Sequence, residues 1–246
     1  MSVVFGIVPQ ALFLGLLTWL AYIGLEPPVR RTWPQLLIAW TRLIDGRWRD
    51  PLVGRALLAG VLVGLPASVL WTPVVTRLLG LPGGALAVSP VGGFGGIGDF
   101  TGNLVHFSAT AVLVTLVVMG LLLVARLIGR RTDVAWVVFT LVFLIWYYVA
   151  VRASWPNAVS SWPAVVEAGV CGLLLVWVLW KHGALATAIA WWVSFIAGWA
   201  PWTLDMSRWY AWRQWFVVAV IVALAVWGFR NVLGKQTAFP AAALEG

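Results

Sequence analysis

Few side chains in this sequence carry the chemistry of a catalytic or metal site. Its 246 residues include two histidines and one cysteine. His106, His182 and Cys171 share no ligand spacing, and neither H-E-x-x-H nor C-x-x-C occurs. A hydrolase serine in G-x-S-x-G is also missing. Gly93-Phe94-Gly95-Gly96-Ile97-Gly98 satisfies G-x-G-x-x-G, but that pattern cradles phosphate only between a strand and a helix N-terminus. Here it lies in Gly80–Gly102, where nine of 23 residues are glycine and the one charge is Asp99. This stretch reads as a flexible or re-entrant loop. No catalytic residue, cofactor site or metal site is expected, and the chain reads as a non-enzyme.

The remaining candidates depend on the medium. Hydrophobic residues make up 62% of the chain and charged residues 10%, with a mean hydropathy of +0.96. A globular surface needs about 25% charged residues. These figures exclude a soluble enzyme, a secreted disulfide scaffold and a disordered regulator, and they describe an integral membrane protein. The net charge of +8 comes almost wholly from arginine, which first suggests the positive-inside rule and not a nucleic-acid partner. Nineteen tryptophans fit repeated crossings of the interface, where the indole ring is favoured. Ionisable groups inside a bilayer are costly and are functional suspects by default. Arg77, His106 and Glu167 all fall near span ends, where snorkelling accommodates them. None is expected mid-span.

A spanning helix needs about 20 apolar residues. Seven candidates run Val3–Leu25, Ala56–Leu79, Leu104–Ile128, Val134–Val151, Ala164–Trp180, Ala184–Ala200 and Gln214–Phe229. The predicted fold class is therefore all-α and polytopic, a single membrane domain over 1–246 with about seven spans and one in-plane amphipathic helix. Only Lys181, His182 and Gly183 separate the fifth and sixth spans, which predicts a tight helical hairpin, with one broken or re-entrant element as the alternative. Pro66 and Pro73 predict a kink in the second span. Gly60-x-x-x-Gly64, preceded by Ala56, forms a small-residue ridge for close helix packing, with a homodimer contact as the sharper alternative. The first span lacks the positive n-region of a signal peptide.

With the N-terminus outside and the C-terminus inside, 12 basic residues fall on inner segments and four on outer ones, the bias expected of the positive-inside rule. Residues 26–55 form the basic cytoplasmic segment and 231–246 the cytoplasmic tail. Within the former, Thr32 and Gln35 have capping-box spacing with Pro34 in the first turn. Trp33, Leu36, Leu37, Trp40, Leu43 and Ile44 then recur at helical intervals, and Gly46 supplies the stop. This predicts a helix in the plane of the interface, its tryptophans at headgroup depth and its arginines meeting anionic lipid. Glu26, Arg30, Arg31, Trp33, Trp40, Arg42 and Arg55 are the interfacial candidates. On the outer side, Pro201–Tyr210 mixes charge with aromatics. Thr203, Asp205, Arg208, Trp209 and Tyr210 are candidates for a sensing loop or a plain anchor. The Trp191-Trp192 and Trp199…Trp202 clusters read as interfacial belts.

Two stretches carry a family resemblance. One is Leu25-Glu26-Pro27-Pro28-Val29-Arg30-Arg31-Thr32-Trp33-Pro34, continuing through Ile38-x-Trp40-x-Arg42-Leu43 to Asp50-Pro51-Leu52-Val53-Gly54-Arg55. The other is Leu204-Asp205-Met206-Ser207-x-Trp209-Tyr210-Ala211, followed by Ala225-Val226-Trp227-Gly228-Phe229-Arg230. Together they resemble blocks in the C-terminal polytopic membrane region of bacterial, acidobacterial-type transmembrane serine/threonine protein kinases. They cover roughly residues 18–55 and 201–233; the middle matches in hydropathy alone. Pro28 stands where an aromatic is expected and Ala56 where an acid is expected. Family members carry a kinase domain ahead of this region. Here V-A-I-K, H-R-D and D-F-G are missing, Asp99-Phe100-Thr101 failing the last, so the resemblance transfers no catalytic residue. It implies a non-catalytic membrane anchor and sensory module in the bacterial inner membrane, with a kinase in cis or in trans as partner. The alternatives are a transporter or channel for a small or lipophilic solute, and a structural assembly partner. Met1 need not be the natural start.

Overall fold

The computed structural model describes residues 2–69, 97–154, 162–200 and 206–234. Among them there is no strand. The elements are α1 (Ser2–Thr32), a 3-10 turn (Pro34–Leu36), α2 (Ile38–Ile44), α3 (Pro51–Val69), α4 (Ile97–Gly129), α5 (Thr132–Ser154), α6 (Trp162–Trp199) and α7 (Ala211–Leu233). Six of these helices are long and apolar enough to cross a membrane, and the protein is a multi-pass membrane protein.

The continuous run of α6 conceals a reversal. Gly183 has φ 80° and ψ −168°, a conformation essentially restricted to glycine. Tyr147 lies against Gly172, 3.5 Å from where a β-carbon would sit, and its ring is also 5.8 Å from that of Trp191. In a straight helix residues 172 and 191 would be about 28 Å apart. The chain therefore doubles back at Gly183, and α6 is a hairpin with arms 162–182 and 184–199. The expected tight turn is present, and with α6 taken as two arms the described residues supply seven apolar helical segments.

Contacts between helices order the passes. Leu25 of α1 rests on Gly120 of α4, 3.6 Å from its β-position, and a turn at residues 130–131 returns the chain into α5. α3 is the hub. On one side the β-positions of Gly60 and Gly64 lie 2.7 and 2.6 Å from the carbonyl oxygens of Ala186 and Ala190 in the second arm of α6. The two sets of residues ascend together, so these helices are parallel. On the other side Gly54 meets Gly228 of α7, whose carbonyl oxygen is 2.6 Å from the Gly54 β-position. Without side chains at these glycines the backbones approach closely enough for dispersion to act along their length.

A file of rings fills the interior. Phe100, Trp199, Phe107, Phe195, Trp191, Tyr147, Phe143, Phe139, Trp136 and Trp33 follow one another with centroids 5.5–6.2 Å apart. Trp191 and Trp199 are each 6% exposed, so they belong to this core and not to an interfacial belt. A bundle core accepts rings from several helices wherever small residues opposite make room. Gly172 does so beneath Tyr147.

Several boundaries differ from the sequence expectation. α1 continues past Leu25 and through Pro27 and Pro28 to Thr32. Beyond the prolines the helix is re-secured by the Glu26–Arg30 ion pair at 2.7 Å and by the Trp33 amide donating to the Val29 carbonyl at 2.7 Å. α4 begins at Ile97, inside the stretch read as a loop. There Asp99 occupies the first turn, and the Asn103 amide donates to the Asp99 carbonyl at 2.7 Å. Gly98 is thus helical, while residues 93–96 of the glycine motif lie outside the described residues. Pro66 lies inside α3; Pro73 and Arg77 fall outside.

Candidate functional sites at the two ends of the bundle

The 3-10 turn and α2 form a cap. Thr32 ends α1 with its hydroxyl donating back to the Pro28 carbonyl at 2.9 Å, so it does not cap the next element, and Trp33 precedes the turn without a side-chain cap. The capping box is not formed. α2 closes with a Schellman arrangement: Arg47 donates to the Arg42 carbonyl at 2.9 Å and Gly46 to that of Leu43 at 3.1 Å, with Gly46 at φ 76°. Trp33 and Leu36 are only 3% and 2% exposed, and Leu37 is buried with them. They seat on the hairpin turn, where the Leu36 carbonyl lies 2.5 Å from the Gly183 β-position. Trp33, Leu36 and Leu37 of the expected apolar face are therefore turned into the protein and not to lipid, while Ile44 is 63% exposed. A helix this short gains more from sealing the exposed backbone of the turn than from lipid contact. Trp40 is half-buried against Tyr22 of α1, ring centroids 6.4 Å apart.

Charge gathers around this cap. Arg42 pairs with Asp50 at 2.6 Å, and Asp50 also accepts from the Leu52 amide at 2.8 Å, capping α3. Arg31 and Arg55 are exposed, and Arg30 is held by Glu26. Arg126, Arg130 and Arg131 at the α4–α5 turn, Lys181 at the hairpin and Arg230 near the end of α7 share this end. The Asn231 amide ties α7 to the cap through the Trp48 carbonyl at 2.7 Å. The seven interfacial candidates thus lie at one end and do not converge on one point, Trp33 being buried and the others at least partly exposed.

At the opposite end Phe100 of α4, 3% exposed, stacks on Trp199 at 5.5 Å and meets Trp212 and Phe216 edge-on at 5.1 and 5.4 Å. Beside it the guanidinium of Arg213 lies 5.9, 5.2 and 5.5 Å from the ring centroids of Phe100, Trp209 and Trp212. Arg213 is 2% exposed, and Asp99 on α4 is its nearby acid. A desolvated cation among ring faces, with a carboxylate close by, clamps the start of α4 to the start of α7. Next to this box lies an open depression of about 500 Å³ lined by Met206, Arg208, Trp209, Ala211, Trp212 and Trp215. Of the outer-loop candidates, Arg208, Trp209 and Tyr210 border this region, Trp209 being 61% exposed; Thr203 and Asp205 lie outside the described residues.

Arg213 is the residue that sequence reasoning missed; it is one of the four basic residues counted on outer segments. The local signal was two tryptophans, Trp209 and Trp212, close to it in sequence; the third ring, Phe100, comes from α4. His106 is half-buried, its Nε2 3.5 Å from the Thr110 hydroxyl. No group of three or more His, Cys, Asp or Glu side chains that could hold a metal ion is present among the described residues. The chain matches no protein-family model, no curated protein and no solved structure.

Proposed function

We propose that this membrane protein is a non-catalytic anchor and sensory module, of the kind that bacterial transmembrane serine/threonine kinases carry, in the bacterial cytoplasmic membrane. The observation that carries the reading is the contrast between its two ends, one arginine-rich and capped, the other aromatic around a buried cation, joined by α3 clasped between α6 and α7. On the positive-inside rule the arginine-rich end faces the cytoplasm, where anionic lipid and a kinase in cis or in trans meet it. A stimulus at the aromatic end acts by favouring one packing of α3 against its neighbours over another. The resemblance of the segments around residues 25–55 and 204–230 to kinase membrane regions supports the partner assignment.

An antibody to the turn at residues 126–133 tests this. Immunoprecipitates from source membranes are expected to incorporate phosphate from ATP on serine and threonine. Precipitates without kinase activity, together with solute flux through proteoliposomes of the purified chain, overturn the reading. Orientation is tested separately in a Cys171→Ala background. A membrane-impermeant maleimide is expected to label Ser207→Cys in intact cells and Arg130→Cys only after permeabilisation.

A further inference from the structure

The aromatic end contains a thioether placed among hydrogen-bond donors. Met206 is 54% exposed, and its Sδ lies 3.3 Å from Trp215 Nε1 and 3.9 Å from Gln214 Nε2. A thioether is a weak acceptor, so two N–H groups directed at it gain little. The Gln214 side chain is only 4% exposed. An oxygen carried on the sulfur would meet both donors with far greater acceptor strength. We propose that Met206 is an oxidation site whose sulfoxide is bound by Trp215 and Gln214.

The reaction needs a peroxide as oxidant. The sulfur lone pair forms an S–O bond as the O–O bond breaks; sulfur loses two electrons, and the distal oxygen leaves as water with both peroxide protons. Oxidation turns a flexible apolar side chain into a polar one, and most such events loosen structure. Here the flexible Met206 side chain withdraws to admit the oxygen, and the new dipole then meets both donors and fixes the 206–210 turn on the start of α7. Trp209 and Trp212, which line the same depression, also flank Arg213, so the fixed turn stiffens the clamp between α4 and α7. This site does not depend on the kinase-module reading.

The test uses the full chain in mild detergent with hydrogen peroxide and peptide mass mapping. Met206 is expected to gain one oxygen while Met119, 1% exposed in α4, stays unmodified. The thermal midpoint is expected to rise by roughly 2–4 °C, the size of one added hydrogen bond. Trp215→Phe keeps a ring and removes the donor, and should abolish the rise. Met206→Gln presents an oxygen without oxidation; it should reproduce the rise and no longer respond to peroxide. Oxidation of Met119 as fast as Met206, or a midpoint unchanged or lowered in oxidised wild type, overturns the proposal. So does the lack of a rise in Met206→Gln.

Discussion

Replacing Gly64 with alanine sets two opposing effects against each other. Alanine gains up to about 1 kcal/mol over glycine in a helix interior. Its β-carbon would lie 2.6 Å from the Ala190 carbonyl oxygen, 2.8 Å from Val193 Cβ and 3.1 Å from Ala190 Cα. Ordinary contact begins near 3.4 Å, so α3 and the second arm of α6 must part by about 0.8 Å. A gap of that size forfeits roughly a quarter to a half of each affected dispersion contact, and overpacking of this kind costs about 1–3 kcal/mol. Two of the three close atoms are backbone, so no side-chain rotation relieves the clash; with the full helix gain subtracted, a net loss of up to about 2 kcal/mol is expected. Gly60→Ala meets Ile189 Cβ and the Ala186 oxygen at 2.6 and 2.7 Å and should behave alike. One displacement relieves both clashes, so the double variant should lose much less than the sum of the singles. Reversible unfolding in mixed micelles with increasing sodium dodecyl sulfate measures this. Gly24→Ala, with nothing within 4 Å of its β-position, is the control that should be neutral or slightly stabilising. A Gly64→Ala protein as stable as that control, or a double variant that is strictly additive, would refute the reasoning.

Four further outcomes are expected. Gly183→Ala combines a φ of 80° with a β-carbon 2.5 Å from the Leu36 carbonyl oxygen; backbone strain alone costs about 1–3 kcal/mol, and monodisperse protein should be lost in size-exclusion chromatography. Asp50→Ala removes both the α3 cap and the ion pair and should cost about 1–2 kcal/mol. Arg42→Gln, which removes only the half-exposed pair, should cost under about 1 kcal/mol in the same unfolding titration. Arg213→Ala leaves the box around Phe100 unfilled, and hydrogen exchange should lose protection at residues 97–103 while the cap at residues 33–44 is unaffected; uniform loss at both ends would show that Arg213 is no local clamp.

Hydropathy located every pass because twenty apolar residues have few other uses, and the hairpin was legible because only three residues separate two apolar runs. The ridge of Gly60 and Gly64 was legible as a spacing, but its partner was not, since nothing local in α3 identifies residues 186–193. The cap was read with the correct periodicity and the wrong neighbour. An amphipathic face looks the same whether it meets lipid or the turn at Gly183. Tryptophans mislead for the same reason: Trp48 and Trp191 are chemically alike, yet one is 60% exposed and the other 6%. Arg213 was hidden because a charge at the edge of a span reads as solvated until Phe100 is brought in from another helix to complete the rings around it.

The parallel pairing of α3 with the second arm of α6 has a consequence for how the protein is made. α3 emerges from the ribosome early, yet the residues that fill its glycine face, Ala186, Ile189, Ala190 and Val193, are synthesised only after three more passes. A contact between segments so distant in sequence forms late. Until then α3 sits in lipid with a bare backbone groove, open to insertases, to chaperones, or to the same groove on another nascent chain.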